Sequence, residues 1–66
     1  MKITLNGNDR EINSGMTVKA LLDSIKLSPD TVAVELNLAI VPKREYDTRR
    51  LNGNDKIEII SFVGGG

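Results

Sequence analysis

The chain contains no cysteine, no histidine and no tryptophan, and its only aromatic residues are Tyr46 and Phe62. Without cysteine there is no disulfide framework, on which a secreted domain of 66 residues would ordinarily depend, so a cytoplasmic setting is expected. Without cysteine or histidine there is no thiolate nucleophile, no imidazole base and no ordinary zinc site. Charge of one sign is not in excess: 9 Lys and Arg balance 9 Asp and Glu. A protein that holds a phosphate backbone usually carries a basic surplus, so nucleic acid is not the expected partner. No apolar run is long enough to cross a membrane, and polar Asn6-Gly7-Asn8-Asp9 follows Met1-Lys2-Ile3-Thr4 where a signal peptide would need an apolar stretch.

What is present is one domain with a small core. A chain this short buries only about 60% of its unfolded surface. With so few aromatics, that core must be built from Ile, Leu and Val. Carboxylates and lysines remain as candidate catalysts, but a core this small has little room to enclose a pocket around them. The chain therefore reads as a partner or substrate of enzymes and not as an enzyme.

Lys2 to Leu5 alternates polar and apolar, which predicts a half-buried strand with Ile3 and Leu5 on one side. Asn6-Gly7-Asn8-Asp9 supplies residues tolerant of positive φ, and Arg10 to Ile12 reads as the returning strand of a hairpin. Thr17 to Ile25 is the helix. Val18, Leu21, Leu22 and Ile25 form one apolar stripe, Thr17 is a suitable N-cap, and Met16 can staple onto Leu21. Ser28-Pro29 is expected to end this segment. Val32 to Leu36 and Ala39 to Val41 are two further strands. Leu38 between them should resist positive φ, so a turn wider than two residues is expected there. Pro42 closes the run, Lys43 to Arg50 reads as an irregular charged loop with one helical turn, and Asn52-Gly53-Asn54-Asp55 is a second dense turn. Lys56 to Val63 is the last strand, with Ile57 and Ile59 on one face and Glu58, Ile60 and Phe62 on the other. The order β, β, α, β, β, β predicts an α+β fold, a mixed four- or five-stranded sheet grasping one helix.

The last three residues, Gly64-Gly65-Gly66, follow that strand directly. The plain reading is a frayed terminus. The functional reading is an arm that enters another protein's active site. Glycine has no Cβ, so such an arm threads a narrow channel and takes any φ, and its one reactive group is the terminal carboxylate. A carboxylate is a poor electrophile, so activating it requires a nucleotide. On this reading residues 1–63 form the domain and residues 64–66 a flexible tail.

The residues Val32-Ala33-Val34-Glu35-Leu36-Asn37, Ile40-Val41-Pro42-Lys43 with Tyr46 beyond, Leu51, Asp55-Lys56-Ile57-Glu58-Ile59 and the Gly65-Gly66 end together resemble the ThiS family, the sulfur carriers of thiamine biosynthesis. The resemblance spans nearly the whole chain and implies a ubiquitin-like β-grasp fold. Asn54 stands where the family usually has glycine, Leu38 where a small or polar turn residue is usual, and Lys43 where arginine is usual. None of these touches the tail. In such carriers a ubiquitin-activating-like adenylyltransferase uses ATP to adenylate the C-terminal glycine. A desulfurase relay converts the adenylate to a thiocarboxylate, which gives its sulfur to thiazole synthase. The resemblance thus implies Gly66 as the modified residue, Gly64 and Gly65 as the threading arm, and Phe62 and Val63 as its anchor. It implies no cofactor bound by the carrier itself.

Ile60 and Phe62 have two readings: a docking patch for the activating enzyme, continued by Val63, or a second small core beneath the Lys43–Arg50 loop. The charges of that loop, like Asp9 with Glu11 and Asp23 with Asp30, read as solvated surface and suggest no metal site. Two other functions stay open. One is a carrier with the same tail in another pathway, such as the small subunit of molybdopterin synthase. The other is a non-catalytic β-grasp binding module.

Overall fold

The computed structural model describes residues 1–62. Strands β1 (Lys2–Leu5) and β2 (Asn8–Glu11) form the first hairpin, followed by helix α1 (Val18–Ser24), strands β3 (Val32–Leu36) and β4 (Ala39–Ile40), and strand β5 (Lys56–Ser61). Short 3-10 turns at Pro29–Thr31 and Lys43–Glu45 join them. The five strands make one mixed sheet in the order β2-β1-β5-β3-β4. The last strand thus lies in the middle, parallel to β1 and antiparallel to β3. This is the β-grasp arrangement that the resemblance implies, with the five-stranded mixed sheet and single helix expected from the pattern.

The helix forms where its stripe can face the sheet. Val18, Leu21 and Leu22 are buried, and Thr17 accepts a hydrogen bond from Ala20 N at 3.1 Å, satisfying one of the free amides of the first turn. Two more are satisfied from the Lys43–Arg50 loop: Val18 N donates to Arg49 O and Lys19 N to Tyr46 O. The loop is therefore part of the core's lid. It carries the buried Tyr46, and the buried Val41 and Leu51 flank it, all in one cluster with Ile3, Ile57, Ile59 and the helix. Met16 packs on the same cluster, to which Leu21 belongs.

The helix ends earlier than Ser28-Pro29. Ile25 caps it and Lys26 turns into the left-handed region at φ 62°. Lys26 N donates to Asp23 O and Leu27 N to Leu22 O, the pair of bonds that closes a Schellman end. Lysine there occupies the position that glycine usually takes. Ser28 instead caps the following 3-10 turn by accepting from Asp30 N.

The β3–β4 connection is a tight two-residue turn and not the wider one expected. Leu36 pairs with Ala39, and Asn37 and Leu38 have φ 52° and 73°. These are type I′ signs, which bulky residues adopt at a cost. Asn37 imposes them. Its N donates to Lys56 O (2.7 Å), its Oδ1 accepts from Lys56 N (2.9 Å), and its Nδ2 donates to Asp55 Oδ1 (3.0 Å). Leu38 follows into the left-handed region and is 81% exposed. Asn54, also left-handed at φ 70°, keeps its turn as expected, and Asp55 Oδ2 accepts from Asn52 N to close it.

Asn6 does for the other edge of β5 what Asn37 does for the first. β1 pairs with β5 only at Thr4 and Leu5. Beyond that, the Asn6 side chain stands in for a peptide group: Oδ1 accepts from Ile59 N at 2.7 Å and Nδ2 donates to Ile59 O at 3.2 Å.

Two outcomes follow for stability. Replacing Asn6 (φ 48°) by glycine keeps the turn but deletes both bonds, so urea denaturation should show a loss of about 1–3 kcal/mol and the Ile59 amide should exchange faster. An unchanged midpoint would show that the amide contributes nothing. Leu38→Gly should instead raise stability by roughly 1 kcal/mol by releasing the left-handed penalty; a loss would show that the exposed leucine packs on something.

Candidate functional site

Side chains alternate across a strand, so the register of the sheet decides which residues face away from the helix. Ile57 and Ile59 point inward, at 0% and 8% exposure. Glu58 and Ile60 point outward, and Phe62 continues that side, its N donating to Thr31 O at 2.8 Å. On β3 the outward residues are Ala33, paired with Ile60, and Glu35, paired with Glu58. On β4, Ile40 pairs with Glu35 and shares their face.

These residues form one surface. Ile40, Ile60 and Phe62 are 63%, 52% and 56% exposed, with Ala33 and the two glutamates between them. Soluble proteins rarely leave this many large apolar groups together on a surface without a partner. The Lys43–Arg50 loop packs on the other side of the sheet and does not cover them. Of the two readings of Ile60 and Phe62, the second small core therefore falls away and the open surface remains. The exposure of Leu38 and Ile40 depends on β4 being short and on the forced turn before it, which no local pattern announces.

Val63, Gly64, Gly65 and Gly66, the remaining residues of the expected site, lie outside the described residues. What the structure fixes is their starting point. β5 leaves the sheet at Ser61–Phe62, at the edge of the apolar surface.

The charged loop is used within the chain. Lys43 pairs with Asp30, Arg49 with Glu45, and Arg50 Nη1 donates to Gly15 O. These contacts fit the reading of a solvated face. A cleft of about 380 Å³ lies between β2 and α1. Its charged groups are Arg10, Glu11 and the N-terminal ammonium, which pairs with Glu11 at 3.4 Å. That is an ion pair, and the hydroxyl in the lining, Ser24 Oγ, donates to Leu21 O. Among the described residues no three His, Cys, Asp or Glu side chains gather as metal ligands, and no helix is long and apolar enough to cross a membrane.

Comparison with known proteins agrees with this architecture. The model of the ThiS family matches residues 3–66. The sulfur carrier protein ThiS of Bacillus subtilis is 40% identical over 65 residues, covering 97% of this chain and 98% of its own. A thiazole synthase of Paramagnetospirillum magneticum is 47% identical over all 66 residues, which span only 20% of that longer protein. The crystal structure of a thiamine biosynthesis protein, ThiS, from Geobacter metallireducens superposes with a TM-score of 0.85 at 29% identity, with both chains fully covered. A chain of this fold, matched over nearly its whole length by the family model and by a full-length carrier, belongs to the ThiS family, the small sulfur carriers of thiamine biosynthesis.

Proposed function

We propose that this chain carries sulfur for the thiazole of thiamine on the terminal carbon of Gly66, and is acted on by enzymes without being one. The observation that carries the reading is the apolar surface of Ala33, Ile40, Ile60 and Phe62 at the end of β5, from which the residues up to Gly66 depart. It supplies a docking face beside a glycine arm, while the chain offers no cysteine or histidine for catalysis of its own.

The chemistry runs through partners. The Gly66 carboxylate attacks the α-phosphorus of ATP in a ubiquitin-activating-like adenylyltransferase, and pyrophosphate leaves. The terminal sulfur of a persulfide on the desulfurase relay then attacks the acyl-adenylate and AMP leaves. A thiol of the partner enzymes cleaves the resulting acyl disulfide, forming a disulfide on the partner side and releasing the thiocarboxylate on Gly66. Thiazole synthase takes that sulfur. Gly64 and Gly65 thread the channel, because a side chain there would widen the arm, and Val63 with Phe62 and Ile60 seats the domain against the partner. ATP belongs to the activating enzyme, and the setting is cytoplasmic. The thiazole synthase of P. magneticum, with 66 residues alike to these, favours the thiamine pathway over molybdopterin synthesis.

Intact-mass measurement checks this. The pure protein incubated with ATP, a ThiS-type activating enzyme and a sulfur source should gain the difference between sulfur and oxygen, and deletion of Gly66 should abolish the gain. No gain, with the same enzyme loading another carrier, would move the chain to the binding modules.

A further inference from the structure

The outer face of the sheet contains an arrangement that the fold does not need. Glu35 and Glu58 are direct cross-strand partners. Phe62 N bonds Thr31 O, and the ladder alternates, so Glu35 and Glu58 are a hydrogen-bonded pair. Their Cα atoms are then about 5.5 Å apart and both side chains rise from the same face. Like charges directly opposite each other destabilise a sheet. Both side chains are half-buried, and no Lys or Arg of the described residues forms an ion pair with either. Neither carboxylate accepts a hydrogen bond from a described side chain or backbone amide. Asp55, three residues before Glu58, shows the contrast: its carboxylate is used twice within the fold.

Around this pair stand Ile40, Ala33 and Ile60, with Phe62 beyond. A pair of negative charges without an ion-pair contact, bordered on one side by these apolar groups and on the other by Lys56, two residues before Glu58 on the same face, is the complement of a cation set at the border of an apolar surface. A guanidinium fits it best. Its planar fork can donate to two carboxylates at once, which the point charge of an ammonium does less well.

We propose that Glu35 and Glu58 together receive an arginine side chain of thiazole synthase, presented among apolar residues that cover Ile40, Ile60 and Phe62. This deepens the carrier reading and rests on it. Thiazole synthase is chosen as the occupant because sequence alike to the whole of this chain makes up 20% of proteins of that name, which places such a domain in one polypeptide with that enzyme. The paired charges add specificity to a docking face whose apolar groups alone would accept many partners.

Calorimetric titration of thiazole synthase from the same genome into the intact chain tests this, with the double variant Glu35→Gln, Glu58→Gln. The variant should bind about tenfold more weakly or worse, and its affinity should lose most of the salt dependence seen with the unaltered chain. The free variant should melt higher by roughly 1–4 °C, since the like-charge opposition is gone; this separates lost recognition from lost fold. The double variant Asp9→Asn, Glu11→Gln, on the outer face of β2 opposite Thr4 and Lys2, removes the same two charges and should bind as the unaltered chain does. Equal binding and equal salt dependence of the double variant would overturn the proposal while leaving the carrier reading intact. Failure of the unaltered chain itself to bind would overturn both.

Discussion

The structure depends on one strand being paired along both edges. β5 is the last element in sequence, yet it lies between β1 and β3 at the centre of the sheet. Its inward residues, Ile57 and Ile59, complete the core against α1 and the loop carrying Tyr46. Its outward residues, Glu58 and Ile60, are placed on the opposite surface by the same alternation. Core and outer apolar face therefore cannot be varied independently: a slip of one residue would exchange them. Two asparagines guard that register, Asn37 at Lys56 and Asn6 at Ile59, each lending a side-chain amide where a neighbouring strand has run out.

The parts of this fold that follow from periodicity were legible in the sequence. The alternation at Ile3 and Leu5, the stripe of Val18, Leu21 and Leu22, the cap at Thr17 and the two faces of β5 all stand where the pattern places them. What escaped depends on contacts between distant segments. The left-handed Leu38 results from bonds between Asn37 and residues 18 and 19 positions away. Lys26 ends the helix although no glycine marks it. The Lys43–Arg50 loop reads as surface from its charges, but its backbone carbonyls meet the first helical turn and its Tyr46 is buried.

The candidate site divides in the same way. Ile60 and Phe62 could be placed on the outer face from the strand alone, but whether anything covers them required the position of the loop. The opposition of Glu35 and Glu58 could not be read at all, because it exists only once β3 and β5 have a register. Asp55 and Glu58, close in sequence and alike in charge, part company for the same reason: one is bound into two turns and the other faces outward with no partner among the described residues.

In the proposed function the domain contributes position, and the chemistry belongs to its terminus and its partners. The central claim is that the terminal carboxylate of Gly66 is the group acted upon. ATP–pyrophosphate exchange catalysed by a ThiS-type activating enzyme tests it most directly, comparing the chain ending at Gly66 with one extended by a single alanine that leaves residues 1–66 unchanged. Exchange with the first and none with the second is the predicted result. Equal exchange with both would contradict the account, because the reacting group would then not be the carboxylate of Gly66.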